Sequence, residues 1–421
     1  MADQRTAHSS IIHVSHLGQG FRALTNRNYR LFWLSQLISL TGSWMQTTAQ
    51  AWLVLRLTGS PFSLGVVTTL QFLPVTLLAL YGGVLADRLW KRRALLFTQS
   101  ALMIQAFIFG ILVASGMIQL WHIYILAAFQ GLINAVDTPT RQAFVVELVG
   151  RDILPNAVAL NSMEFNAARI VGPSIAGVII DQIDIAPALI LNALSFVPVL
   201  LALLRIDTAT LHVVPPSKQG STSKRLLEGL SYARHTPKVL VILIVVGAIG
   251  TFGYNFSIVL PLLARFVLHT SATGFGSLGS FLGAGSLLAA IMTAYVKQVH
   301  MRRLFLGAAV FSLVFGAVAL SRTLVVSAVL LVALGFSGIT FTTSANTLLQ
   351  LNSPDTLRGR IMSVYVLLFM GSTPIGGFFI GTLSDAIGVQ VTLLICAILC
   401  LFGVSIAAIY YKTFAKALSD S

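Results

Sequence analysis

Four ionisable residues sit where the chain is otherwise apolar, and these are the residues that could do chemistry. Asp137 and Arg141 are spaced i, i+4, close enough on one helix face to neutralise each other. Glu164 and Arg169 follow, five residues apart and so on different faces of the next apolar block. A charge inside a membrane span is costly and by default marks function. A carboxylate there can take up and release a proton, which makes Asp137 and Glu164 the proton-coupling candidates. Arg169, the deepest of the four, can meet an anionic group of a ligand. A structural pair inside the bundle is the other reading of Arg169, and both stay open at this level.

Uncharged polar groups run beside them in stripes. Gln36, Ser43 and Gln50 recur every seven residues, with Ser39, Gln46 and Thr47 filling the turns between. Gln130 and Asn134 share a face with Asp137 and Arg141. Tyr254 and Asn255 follow Thr251, and Thr343 and Asn346 lie between Thr340 and Gln350. Such stripes either line a wet path or bond helix to helix. Nothing in the sequence assembles a metal or cofactor site. Cys396 and Cys400 stand four apart in an apolar block, with no His or carboxylate to complete a ligand set, and read as packing. His8, His13 and His16 read as solvated residues of a tail. No G-x-x-x-x-G-K-[ST] loop is present, which argues against ATP-driven pumping. An enzyme or a receptor is disfavoured as well: there is no redox cluster and no soluble domain of useful size.

The elements that must position these residues are membrane helices. Of 421 residues 56% are hydrophobic and 10% charged, against roughly 25% charged in a soluble domain. The apolar residues come in blocks of about 20 or more, the length that crosses ~30 Å of hydrocarbon as a helix. Lipid cannot satisfy exposed backbone groups, so the blocks are helical. The short alternating segments of a β-barrel are not seen. Spans are expected near 31–56, 62–86, 94–115, 121–145, 157–181 and 186–205, then near 239–266, 273–296, 303–321, 323–349, 358–384 and 387–411. The expected fold is therefore an all-α integral membrane protein, with twelve transmembrane helices in two pseudo-symmetric six-helix bundles. It divides into a tail (1–29), a first bundle (30–205), a linker with a short amphipathic helix (206–237), a second bundle (238–412) and a tail (413–421).

Charge orients the bundles. The net charge of +14 suggests nucleic acid until its distribution is examined. Arg88, Lys91, Arg92, Arg93, Arg141, Arg151, the linker cations, Lys297, Arg302, Arg303, Arg358 and Arg360 all fall on the side of the termini. Only Arg56, Arg265 and Arg322 fall opposite. Positive residues mark the cytoplasmic side, so both termini are expected there, and a lipid bilayer rather than a nucleic acid is the partner. No cleavable leader is read in residues 1–29. The linker carries Pro215-Pro216, a Ser/Thr/Gly run, and then Leu226, Leu227 and Leu230 on one side of a basic helix.

The halves echo each other. Gly150-Arg151-Asp152-Ile153-Leu154-Pro155-Asn156-Ala157 opens the fifth span, and Ser353-Pro354-Asp355-Thr356-Leu357-Arg358-Gly359-Arg360 opens the eleventh about 203 residues later. Parallel repeats of this kind imply two bundles that meet at a midplane site.

The loop after the second span reads Gly83-Val84-Leu85-Ala86-Asp87-Arg88-Leu89-Trp90-Lys91-Arg92-Arg93. It resembles the signature loop of the major facilitator superfamily, G-x-L-A-D-R-x-G-R-[KR]. Gly83, Asp87, Arg88, Lys91 and Arg92 fit the pattern; Lys91 stands where arginine is usual, and Trp90 departs where glycine is usual. Within that superfamily the chain looks most similar to the bacterial enterobactin-exporter and macrolide-efflux group. The stretches that carry this are Leu24-Thr25-Asn26-Arg27-Asn28-Tyr29-Arg30-Leu31-Phe32-Trp33, Asn156-Ala157-Val158-Ala159-Leu160-Asn161-Ser162 and Arg169-Ile170-Val171-Gly172-Pro173-Ser174-Ile175-Ala176-Gly177, with Arg358-Gly359-Arg360.

The resemblance implies a secondary transporter of the bacterial inner membrane, working by alternating access, with a small organic molecule and protons as its partners and no cofactor. It implies export of a siderophore-, macrolide- or drug-like solute; an uptake permease or a lysophospholipid-type carrier is the alternative. It places spans one, four, seven and ten around the cavity, which favours the lining reading of the stripes. It brings spans five and eight together, with Gly172, Pro173 and Gly177 facing Gly279 and Gly283. It sets Asp87 against the start of span eleven near Asp355, as a cytoplasmic latch, with Arg88 pairing with Asp137. A monomer is expected. One departure matters: many proton antiporters of this superfamily carry an arginine three residues before a Gln-Gly pair in span four, and here that position is Ala127, before Gln130-Gly131. The proton route of those relatives does not transfer.

Overall fold

The computed structural model describes residues 20–212, 222–294, 296 and 298–419, with the side chains of 79–88, 222–226, 294 and 414–419 left aside. The histidine-bearing tail and the Pro215-Pro216 segment lie outside the described residues.

Six long helices form the first half: α1 (Arg27–Thr58), α2 (Pro61–Arg88), α3 (Lys91–Ala114), α4 (Leu120–Val149), α5 (Leu154–Gln182) and α6 (Ile185–Arg205). Their ends follow local rules. The Asn26 side chain accepts from the Tyr29 N–H to start α1, and Gly59, at φ 61°, ends it in the left-handed conformation. Pro155 sits in the first turn of α5, where its missing N–H costs nothing. A short helix α7 (Thr222–His235) leads into the second half.

The second half has α8 (Pro237–Phe252), α9 (Phe256–Leu262) with a π-turn over Leu263–Val267, α10 (Ala272–Ala294), α11 (Met301–Leu320), α12 (Leu324–Leu351), α13 (Asp355–Met370), α14 (Thr373–Ile387) and α15 (Val389–Ser419). Two spans expected to be continuous are broken. The seventh breaks at Gly253–Asn255, where the Asn255 side chain takes over the Thr251 carbonyl at 2.7 Å. The eleventh breaks at Gly371 and Ser372, just before Pro374, which cannot donate to a continuing helix.

Among the described residues ten helical stretches are long and apolar enough to cross a membrane. The expected count of twelve needs α1 and α4 as well. They have the length, 32 and 30 residues, but carry the polar stripes that lower their hydropathy.

Inside the first half α2 packs on α4, α3 on α6, and α1 on both α5 and α6; inside the second, α10 packs on α12, and α11 on α12 and α15. The halves meet along two main seams, α5 with α10 and α2 with α14, and α9 also touches α1 and α2. Contacts assign the sides. The start of α1 touches the start of α5, where the Ala23 N–H donates to Asn156 at 2.8 Å. The end of α5 meets the start of α10 at Asp181. The Phe305 ring near the start of α11 then meets Tyr411 near the end of α15. The described chain ends are thus on one side, here called the terminal side; the other is the far side. On the terminal side α7 lies on α13, with Glu228 paired to Arg360 and the Tyr232 hydroxyl near the Asn352 carbonyl. Leu227 and Leu230 of α7 point outward and are exposed.

Candidate functional site

The four charges of the first half divide into a satisfied group and two others. Asp137 is buried and fully engaged: Thr98 Oγ1 donates to it at 2.6 Å and Gln99 Nε2 at 2.8 Å, both from α3, and Arg141 Nε stands 3.8 Å away. Arg141 also donates to Gln36 Oε1 at 3.2 Å. Glu164 is buried too, 4% exposed, yet its Oε1 has no hydrogen-bond partner among the described residues. Arg169 crosses the gap between the halves. Its guanidinium carbon lies 6.0 Å from the centre of the Phe256 ring of α9, and no carboxylate pairs with it among the described residues.

The stripe residues take different surroundings. Gln46 turns into the first half, donating to Gln105 Oε1 at 3.2 Å and accepting from Asn192 Nδ2 at 2.6 Å. Gln130 accepts from Gln71 at 3.2 Å. Both are spent on bonds between helices. Ser43 donates back to the Ser39 carbonyl at 2.9 Å. Gln50 is buried with Oε1 unpartnered, and Asn134 is half-buried. Asn255 is buried at the break of the seventh span, while Tyr254 beside it is half-buried. Asn346 accepts from Gln350, and Thr343 lines a cavity of about 850 Å³ at the terminal-side ends of α10 and α12, together with Thr293, Gln298, His300 and Thr347.

The side chains of Gly83, Asp87 and Arg88 lie outside the described residues, so the latch at span eleven and the Arg88–Asp137 pair do too. The other two signature cations are in place. Lys91 Nζ pairs with Glu147 Oε1 of α4 at 2.8 Å, both nearly buried. Arg92 donates to the Leu203 carbonyl at 2.6 Å and the Leu204 carbonyl at 3.0 Å. A cation there satisfies orphan carbonyls at the negative end of α6. The loop thus staples α3 to α4 and α6. Sequence reasoning missed Glu147; the signal was an acid near the end of span four, on the side where cations gather.

The stretches that carry the subgroup resemblance come together as well. The Tyr29 hydroxyl donates to Asn161 Oδ1 at 2.9 Å, and Trp33 Nε1 to the Leu160 carbonyl at 3.1 Å.

Along α5 and α10, Pro173 packs over Gly276 and Gly279, Gly177 over the Ala272 carbonyl, and Ile170 over Gly283. A methyl on Gly276 would run into the Pro173 carbonyl. Gly172 faces elsewhere: it packs on Trp44 and Thr41 of α1, inside its own half. Ser174 and Ser280 share a hydrogen bond at 2.6 Å across the seam. At its far end Asp181 accepts from the Ala272 N–H at 3.0 Å and the Thr273 N–H at 2.8 Å, the first residues of α10. The second seam repeats the device. Asp385 of α14 accepts from Ser60 Oγ at 2.8 Å and from the Phe62 N–H at 3.5 Å, where α2 begins. Below it Gly65 and Gly381 bring the two backbones into contact. Sequence reasoning missed both aspartates; they stand 204 positions apart, in step with the internal echo. Among the described residues every hydrogen bond joining the halves lies between the midplane and the far side. Among the described residues the hydrogen bonds thus hold the two bundles together on the far side and none joins them on the terminal side.

Known proteins are similar to this chain in sequence and in fold. The chain is 23% identical over 377 residues to the staphyloferrin A transporter of Staphylococcus aureus, covering 88% of this chain and 92% of that one. It is 26% identical over 370 residues to the multidrug efflux pump Tap of Mycolicibacterium fortuitum, with 84% and 88% covered. It is 24% identical over 364 residues to the enterobactin exporter EntS of Citrobacter koseri, with 86% of each covered. A crystal structure of a bacterial homologue of the human lysosomal transporter Spinster, inward-facing and occupied, superposes with a TM-score of 0.70 at 13% identity, covering 93% of this chain and 98% of that one. Residues 19–418 match the transmembrane secretion effector family, and the chain belongs to that family of multi-pass transporters in the major facilitator superfamily.

Proposed function

We propose that this transporter exports an amphipathic organic solute across the bacterial inner membrane, by alternating access, in exchange for protons. The observation that carries the proton step is Glu164. A buried carboxyl whose Oε1 finds no donor is badly placed to stay charged and well placed to hold a proton, because leaving such a group unpaired is expensive. Asp137, by contrast, is bound by two donors and faces Arg141, so it serves to fix α3 against α4. Of the two carboxylates, Glu164 is the carrier. It lies on the same helix as Arg169, so a proton arriving at one can act on a ligand held at the other. In this reading the terminal side is the cytoplasm, consistent with the cations gathered there. In that orientation the joined far side faces away from the cytoplasm, which supports loading of solute from the cytoplasm for export. The export-named relatives favour that direction over uptake.

Inside-out membrane vesicles test it. With the lumen acidified, vesicles carrying the protein should accumulate the solute, and collapsing the gradient should release it. Net uptake by intact cells under an inward proton gradient would reverse the assignment.

A further inference from the structure

Five rings gather on the second-half wall at the level of Arg169. Tyr254 lies 5.1 Å from Phe256, 4.7 Å from Phe369 and 5.8 Å from Phe311, ring centre to ring centre, and Tyr365 stacks on Phe369 at 5.8 Å. Their exposure divides them. Phe311 and Tyr365 are buried, while Tyr254, Phe256 and Phe369 keep part of their surface free. The first two back the other three. Opposite stands Arg169, from the other half of the molecule, over Phe256. A ring face offsets only part of the cost of a charge at this depth and neutralises none of it. Phe256 therefore positions the guanidinium, and among the described residues no hydrogen-bond acceptor takes up its forked donors.

We propose that Arg169 and the ring wall form a subsite for an anionic group borne on an arene, an aryl carboxylate or a phenolate. The assignment rests on the transport reading above. A guanidinium matches a carboxylate with two parallel hydrogen bonds, and rings prefer offset or edge-to-face partners at the centre distances already seen here. An arene laid against the free faces of Tyr254 and Phe369 extends the cluster, and its anion then falls beside Arg169. An organic cation of the same size would bring like charge against Arg169. Because the subsite has one wall from each half, its ligand also bridges the two bodies that must move.

Three probes of similar bulk separate the contributions: 2-naphthoate, 2-naphthylmethylammonium and decahydro-2-naphthoate. Equilibrium dialysis against the full-length protein in lipid nanodiscs, with no gradient, reads binding alone. Wild type should bind 2-naphthoate at least tenfold more tightly than either of the others. Arg169→Gln should lose at least tenfold for 2-naphthoate and nothing for the ammonium probe, Arg169→Lys should lose less, and Tyr254→Ala should lose about fivefold. Equal or tighter binding of the ammonium probe by wild type would overturn the subsite, and so would absence of 2-naphthoate binding. The comparison among probes needs no variant, so misfolding of a mutant leaves it intact. Failure of the vesicle experiment with this binding retained would count against proton-driven export and not against the subsite.

Discussion

At the scale of single residues, the buried polar groups divide by whether they are satisfied. Glu164 is not, and its substitution separates coupling from translocation. In Glu164→Gln the amide cannot release a proton, so gradient-driven accumulation should fall at least tenfold, while solute-for-solute exchange across vesicles without a gradient should persist. Exchange lost together with accumulation would assign Glu164 to the ligand path instead. Lys91 and Glu147 make the opposite case, a pair at 2.8 Å with side chains 11% and 8% exposed. Removing one partner of a buried pair leaves the other charge stranded, at a cost of about 3–5 kcal/mol. Glu147→Gln should therefore lower the midpoint of thermal unfolding in detergent, and Lys91→Met with Glu147→Leu should recover much of the loss. The sequence made Lys91 legible through its loop and left Glu147 unseen, because a single sequence records which residues are charged and not which ones face each other.

At the scale of helices, the two seams are built from the same parts used twice. Asp181 closes the start of α10 and Asp385 the start of α2. A carboxylate on the first N–H groups of a helix contributes about 0.3–1 kcal/mol, up to ~2 where partly buried. Two such caps together tilt the equilibrium toward the form closed on the far side by about threefold to thirtyfold, and by several hundredfold at the upper figure. Spin labels at Met117→Cys and Arg322→Cys report the far-side width, since Cys396 and Cys400 are buried and stay unlabelled. In Asp181→Asn with Asp385→Asn the population of long distances should rise at least twofold in lipid, with each single variant in between. Unchanged distances would mean that the glycine contacts alone keep the seams shut. Much of this level was legible: the apolar blocks marked the helices, and Pro173 with its small neighbours marked one seam. The breaks in the seventh and eleventh spans were not, because Gly253, Asn255 and Pro374 are tolerated in membrane helices whenever a neighbour can take up the freed backbone groups. The direction of Gly172 was not legible either, since a small residue invites a close neighbour without naming it.

At the scale of the whole molecule, the hydrogen bonds that join the two halves among the described residues lie from the midplane to the far side. The all-helical membrane fold was readable because apolar blocks, a charge bias and a repeat are coarse features that survive without knowledge of contacts. Which side the halves are joined on was not, because one sequence would serve both members of the proposed alternating cycle. If transport requires the halves to rock, tying the far-side seam must stop it. Ser174 and Ser280 put their hydroxyl oxygens 2.6 Å apart across that seam, a separation that brings the two β-carbons within the reach a disulfide needs, about 3.5–4.5 Å. Ser174→Cys with Ser280→Cys should therefore cross-link under mild oxidation. Export from cells should then fall to background while the amount of protein in the membrane is unchanged, and a reductant should restore it. Each single cysteine controls for the lost hydrogen bond, and should keep at least half of wild-type transport with and without oxidant. A fully cross-linked protein that still exports would show that solute passes without separation of α5 from α10, and a rocking cycle around Arg169 and Glu164 would have to be abandoned.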